Sequence, residues 1–166
     1  MLRLFGIAKE SITDGPGIRY SIFTQGCPHY CEGCHNQESL SFTGGYLIGE
    51  SEIINEMAQN PLLDGITLSG GEPFMQAPEL VIVAKAARDM GLHVMIFSGY
   101  TFEELTELGK ERAGYMELLA CADVLIDGKF ELDKKSMDLH YRGSANQRSI
   151  DVQQTLKEKK VILYPL

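Results

Sequence analysis

Three cysteines share one short segment, Cys27-Pro28-His29-Tyr30-Cys31-Glu32-Gly33-Cys34. Thiolates bind soft metals, and three of them can hold three irons of a 4Fe-4S cube while the fourth iron keeps no protein ligand. A cluster that only carries electrons is usually closed by four protein ligands. A loop with three and then two residues between its cysteines therefore points to a cluster whose open iron takes a substrate or cofactor. The competing chemistry is a structural zinc loop, in which His29 or His35 supplies the fourth ligand. His29, however, lies between the first two cysteines, whereas zinc knuckles usually pair their ligands as two separated couples, so the spacing favours the cluster. Cys121, in Leu118-Leu119-Ala120-Cys121-Ala122, has the surroundings of a small core residue.

A second segment points the same way. The run 65–69 ends in Ser69-Gly70-Gly71-Glu72-Pro73, where two glycines let backbone approach a ligand and Glu72 can accept from an ammonium group. Alone, such a turn is an ordinary strand-to-helix connection. The cysteine loop itself follows the apolar run 18–24, which places its ligands just past the C-terminal end of a strand, where parallel α/β sheets gather their sites.

The elements that must hold these loops alternate. Short β-branched apolar runs recur at 18–24, 65–69, 93–97, 124–126 and 161–164, with helical patterns between most of them. Residues 51–59 set Ile53, Ile54, Met57 and Ala58 on one face. Thr101-Phe102-Glu103-Glu104 forms a capping box for a helix that stops at Gly109, and Asp151-Val152-Gln153-Gln154 repeats the signal. Residues 78–90 read as helix between Pro78 and Gly91, despite Val81-Ile82-Val83. Gly44-Gly45 predicts a hairpin turn between Phe42 and Tyr46. Right-handed crossovers then give an α/β fold with about five or six mostly parallel strands and helices outside. A closed eight-stranded barrel needs about 200 residues or more. With 166 residues, the expectation is an incomplete, laterally open βα barrel, and 1–166 reads as a single domain.

The net charge of -8 argues against a nucleic-acid surface, and Lys157-Glu158-Lys159-Lys160 reads as a solvated helix end. No apolar run approaches the ~20 residues that cross a bilayer. The N-terminal run has no cleavable signal pattern, so a cytoplasmic protein is expected.

The cysteine loop and the Gly-Gly-Glu-Pro turn together resemble those of the radical S-adenosylmethionine enzymes. Upstream Asp14-Gly15-Pro16-Gly17-Ile18-Arg19 and downstream Cys34-His35-Asn36 are similar to the glycyl-radical-enzyme activases. Cys27-Pro28-His29 and Tyr141-Arg142-Gly143-Ser144-Ala145-Asn146-Gln147-Arg148 narrow the resemblance to the activases of anaerobic (class III) ribonucleoside-triphosphate reductase.

The resemblance implies an oxidoreductase with one 4Fe-4S cluster per chain on Cys27, Cys31 and Cys34, and S-adenosylmethionine chelated at the open iron. An external one-electron donor reduces the cluster. The cofactor is cleaved to a 5'-deoxyadenosyl radical, which takes hydrogen from a glycine of the large glycyl-radical subunit of the reductase. Gly70, Gly71 and Glu72 are implied at the methionine end of the cofactor, and Gly33, Cys34, His35 and Asn36 beside it. Gly33 stands where many of these enzymes carry an aromatic residue, and His35 either lies against the adenine instead or is a surface histidine. Ser98 is placed to reach the ribose. Lys129 of Asp127-Gly128-Lys129 is the candidate for the methionine carboxylate, and Asp127 is either near a cation or a turn aspartate. Arg142 and Arg148 flank a segment that covers the cofactor, meets the reductase, or simply connects. Two rival readings are a radical enzyme acting on a small molecule and a non-catalytic zinc module that binds a partner.

Overall fold

The computed structural model describes residues 1–29, 31–33, 37–136 and 138–165. In chain order the strands are β1 (Leu2–Ser11), β2 (Arg19–Thr24), β3 (Tyr46–Ile48), β4 (Gly65–Gly70), β5 (His93–Phe97), β6 (Val124–Asp127) and β7 (Arg148–Asp151). The helices are α1 (Glu50–Ala58), α2 (Ala77–Asp89), α3 (Phe102–Leu108), α4 (Tyr115–Cys121) and α5 (Val152–Glu158). The strands form one mixed sheet of seven, ordered β3-β1-β2-β4-β5-β6-β7, with β3 and β7 at its two unjoined edges. β2, β4, β5 and β6 run parallel, as the crossover pattern predicts.

The expected five or six mostly parallel strands are corrected on two counts. The sheet has seven, and three of its six pairings, β1 with β2, β1 with β3 and β6 with β7, are antiparallel. β3 and β7 are too short to show a period, and β7 carries charged residues at both ends. Phe42 lies in a turn, and the strand after Gly44-Gly45 pairs with β1. Residues 161–164 do not form a strand: Leu163 makes an isolated bridge to Ile150, and Ile162 and Tyr164 exchange backbone bonds with Asp151 and Ser149.

The two-residue period of the strands separates two unlike faces. Tyr20, Ile22, Ile66, Leu68, Val94, Ile96, Leu125 and Ile150 point into the main core with Ile53 and Met57 of α1, Leu80 and Ala84 of α2, Leu118 and Leu119 of α4, and Val152 of α5. The alternate residues Met95, Val124 and Ile126 form a smaller cluster with Phe97, Tyr141 and Tyr164. Helices therefore build the core on one face and leave the other to loops. Cys121 is buried in the helical core, as its surroundings predict, and burial pushes its thiol pKa up. Among the described residues no helix is long and apolar enough to cross a membrane.

The expected caps form. Thr101 Oγ1 accepts from Glu104 N while Glu104 Oε1 accepts from Thr101 N, and Asp151 Oδ1 accepts from Gln154 N. At the start of β2, the Arg19 guanidinium is buried. It donates to Thr67 Oγ1, to the carbonyls of Pro16 and Ile66, and toward His93, and burial pushes its pKa down to about 10. Gly17, at φ 75°, presses against Asp64, which accepts from Ile18 N. The Asp14-to-Arg19 segment is thus tied to the N-terminal ends of the parallel strands.

Candidate active site

Just past β2 the chain turns at Gly26, whose φ of 105° puts Phe42 where a side chain would stand. Gly26 N donates to Ser39 O (2.6 Å) and Cys27 N to Leu40 O (3.0 Å), so the start of the cysteine loop is held by the segment that follows it. Gln25 Nε2 adds bonds to Glu38 O (3.1 Å) and Ser41 O (2.6 Å). Cys27 is buried and Cys31 half-buried. Both line a cavity of about 510 Å³ on the helix-free face of the sheet. Cys34, His35 and Asn36 lie outside the described residues.

The glycine-rich turn ends β4 beside this loop. Gly71 N donates to Thr24 O and Glu72 N to Gly26 O, each at 2.8 Å. A side chain on Gly70, at φ 96°, would meet the backbone of Phe23 and Thr24, and one on Gly71 would run into the carbonyl of Gly26. Both glycines also line the cavity. Their first requirement is therefore close contact between two backbones, the turn and the root of the cysteine loop.

Glu72 is fully buried, and its carboxylate accepts from His29 Nε2, Ser98 Oγ, Gly99 N and Phe74 N. It lies outside the cavity lining, whereas Ser98 and His29 are part of it. With Nε2 given to Glu72, His29 has a role that spacing alone did not reveal. Gly33, at φ 74°, is exposed and faces Leu132 and Phe130, so a side chain there would be strained and crowded.

Lys129 is exposed and is not brought to the cavity wall; its carbonyl accepts from Asn146 Nδ2. The cationic residues that do line the cavity are Lys135 and Arg142. Asp127 is buried and receives Arg148 at both oxygens (3.0 and 2.5 Å) as well as Phe102 N (2.8 Å). Bonds to Asp127 and then to Glu103 push the Arg148 pKa up, and the same guanidinium lowers the pKa of Glu103. The carboxylate expected near a cation or in a turn is thus neutralised by an arginine of β7.

Residues 142–148 are pinned to the end of β6. Gln147 Oε1 accepts from the backbone N–H groups of Gly143 and Ser144, Gln147 Nε2 donates to Gly128 O, and Arg142 donates to Gln147 O. Tyr141, Arg142, Gly143 and Gln147 consequently line the cavity together with Gly70, Gly71 and Cys31. Besides Gly70, its strand-borne lining is Phe23, Ser69, Phe97 and Ile126, whose inward orientation follows from period-two alternation. Thr13 and Asp14 complete it from the loop before β2.

A pocket of this volume is within the ~300–1,000 Å³ range of cofactor sites. Its two described cysteines, exposed glycine backbone and mostly apolar floor suit an iron-sulfur cluster and an organic cofactor side by side.

Residues 13–150 match the model of the 4Fe-4S single cluster domain family. The chain is 37% identical over 144 residues to the anaerobic ribonucleoside-triphosphate reductase-activating protein of Haemophilus influenzae, covering 82% of this chain and 89% of that one. The protein of the same name from Escherichia coli K12 is 33% identical, with 82% and 90% covered, and that of Enterobacteria phage T4 is 34% identical, with 81% and 85% covered. Cavity, cysteine loop and these likenesses converge: the chain belongs to the 4Fe-4S single cluster domain family and, within it, to the anaerobic ribonucleoside-triphosphate reductase-activating proteins.

Proposed function

We propose that the protein is a radical S-adenosylmethionine enzyme that installs a glycyl radical in anaerobic ribonucleoside-triphosphate reductase. The observation that carries this reading is that Cys27, Cys31, Gly70 and Gly71 share the wall of one cavity, at the C-terminal ends of β2 and β4. Cys27, Cys31 and Cys34 would hold three irons of a 4Fe-4S cluster. Bound there, the cluster would supply the one electron for reductive cleavage of S-adenosylmethionine to methionine and 5'-deoxyadenosine, the hydrogen coming from a glycine of the reductase.

The chain's own residues supply position and exclusion of water. Gly70 and Gly71 expose backbone at the methionine end, and Ser98 offers its hydroxyl oxygen from the end of β5. Lys135 and Arg142 bring positive charge to the wall where a carboxylate is expected, a role better suited to them than to exposed Lys129. Phe23, Phe97 and Ile126 keep the floor apolar, which protects a radical and offers few handles to a small polar substrate.

The sheet is read as a partial βα barrel whose open side admits a glycine-bearing loop of a folded partner, and 1–166 as one cytoplasmic domain. The electron comes from an external donor, and neither nucleic acid nor membrane takes part. The test is cofactor cleavage: anaerobically reconstituted, reduced protein is expected to convert S-adenosylmethionine to 5'-deoxyadenosine, while Cys31→Ala is not. A colourless protein that holds zinc and leaves the cofactor intact would support the zinc module instead.

A further inference from the structure

Three loops of the candidate site meet on one carboxylate. Glu72 Oε1 accepts from His29 Nε2 (2.8 Å), Ser98 Oγ (2.9 Å) and Gly99 N (2.8 Å), and Oε2 accepts from Phe74 N (3.1 Å). The side chain of Glu72 is 0% exposed and that of His29 5%. In its Nε2–H tautomer the imidazole donates to Oε1. The ring occupies a notch that exists because residue 99 is glycine: a Cβ there would overlap the imidazole. Tyr100 closes the notch, its ring meeting His29 edge-on at 4.5 Å and 79°.

We propose that His29 is a positioning residue. It bolts the cysteine loop, midway between Cys27 and Cys31, to Glu72 of the glycine-rich turn and to the end of β5. The bolt fixes where the cluster stands relative to the backbone that receives the cofactor. A buried carboxylate deprived of one donor draws its remaining partners into new positions, and here those partners are the turn and the Ser98-Gly99 strand end. The loss is therefore felt in cofactor binding before it is felt in iron retention. This inference rests on the proposed reading of the cavity as a site for a cluster and S-adenosylmethionine.

The test compares His29→Ala, His29→Gln and Gly99→Ala with the unaltered protein, each anaerobically reconstituted. Three quantities are read: iron per chain, the S-adenosylmethionine dissociation constant, and the change that the cofactor produces in the electron paramagnetic resonance spectrum of the reduced cluster. The amide nitrogen of glutamine can donate to Glu72 from about the place of Nε2. Gly99→Ala keeps every hydrogen-bonding group and only displaces the ring.

All three variants are expected to keep their iron. His29→Ala and Gly99→Ala should bind the cofactor about tenfold more weakly or worse with a diminished spectral change, and His29→Gln should stay within about threefold of the unaltered protein. Unchanged affinity and spectra in both His29→Ala and Gly99→Ala would overturn the proposal. Iron loss in His29→Gln would also do so, because it would make the ring a ligand. If His29→Ala does not fold, Gly99→Ala decides. Failure of the unaltered protein to bind S-adenosylmethionine would overturn the reading of the cavity and this proposal with it; binding that His29→Ala and Gly99→Ala leave untouched would overturn the bolt alone.

Discussion

The described cysteines have different stakes in the fold. Cys27 is buried and Cys31 half-buried, both on the cavity lining, and Cys121 sits in the helical core outside that lining. Alanine at Cys27, Cys31 or Cys34 is therefore expected to abolish stoichiometric iron after anaerobic reconstitution. Cys121→Ala should keep its iron and lose only about 1 kcal/mol of stability in denaturant titration. Iron loss in Cys121→Ala equal to that in Cys31→Ala would contradict the assignment.

Gly71 gives a second expectation. Because a Cβ there meets the Gly26 carbonyl, Gly71→Ala should destabilise the protein by about 1–3 kcal/mol and lower iron occupancy as well as cofactor affinity. An intact cluster with normal thermal stability would show that the turn has room to spare. The types and spacing of the cysteines and glycines were legible in the sequence because their chemistry is local. The duty of Glu72 was not, since its partner His29 lies 43 residues away and only the packing of β2, β4 and β5 brings them together.

Among the elements, β7 is tied to β6 and α3 by one side chain as well as by its backbone pairing. Arg148 spans from Asp127 at the end of β6 to Glu103 in α3, and Asp127 is 1% exposed. Arg148→Met should leave that carboxylate buried without its cation and cost about 3 kcal/mol, measured as a lowered denaturation midpoint. A midpoint within error of the parent would mean that Asp127 finds another partner. The Glu103 limb is a weaker contact because Glu103 is well exposed. Its pKa is depressed by Arg148, so its contribution is fully present above the ordinary value of 4.5 and is lost as pH falls through the depressed one. Glu103→Gln should remove that acid-side slope with a loss of no more than about 1 kcal/mol near neutrality.

The parallel strands were legible to within about a residue, His93–Phe97 matching at both ends, because buried parallel strands are continuous apolar runs. The antiparallel edges β3 and β7 were not, since their place comes from pairing with β1 and β6 and not from their own composition.

At the scale of the whole molecule, the division of the sheet into a helical face and a loop-lined face decides what the protein can do. Helices bury Ile66, Leu68, Val94 and Ile96, while the alternate residues Ser69 and Phe97 remain to line the cavity. The edges β3 and β7 do not meet, and on the proposed reading that open side admits a glycine-bearing loop of the reductase. A length short of what a closed eight-stranded barrel needs foretold an open sheet, whereas the one-sided cover was not legible, because a period of two separates the faces without saying which of them the helices take. The most direct measurement mixes the reduced, cluster-loaded protein and S-adenosylmethionine with anaerobic ribonucleoside-triphosphate reductase and records the electron paramagnetic resonance spectrum. A glycyl radical should appear on the reductase and vanish when its radical-bearing glycine is replaced by alanine. The contrary result is an unchanged signal in that variant, or no radical at all from protein with full iron and bound cofactor.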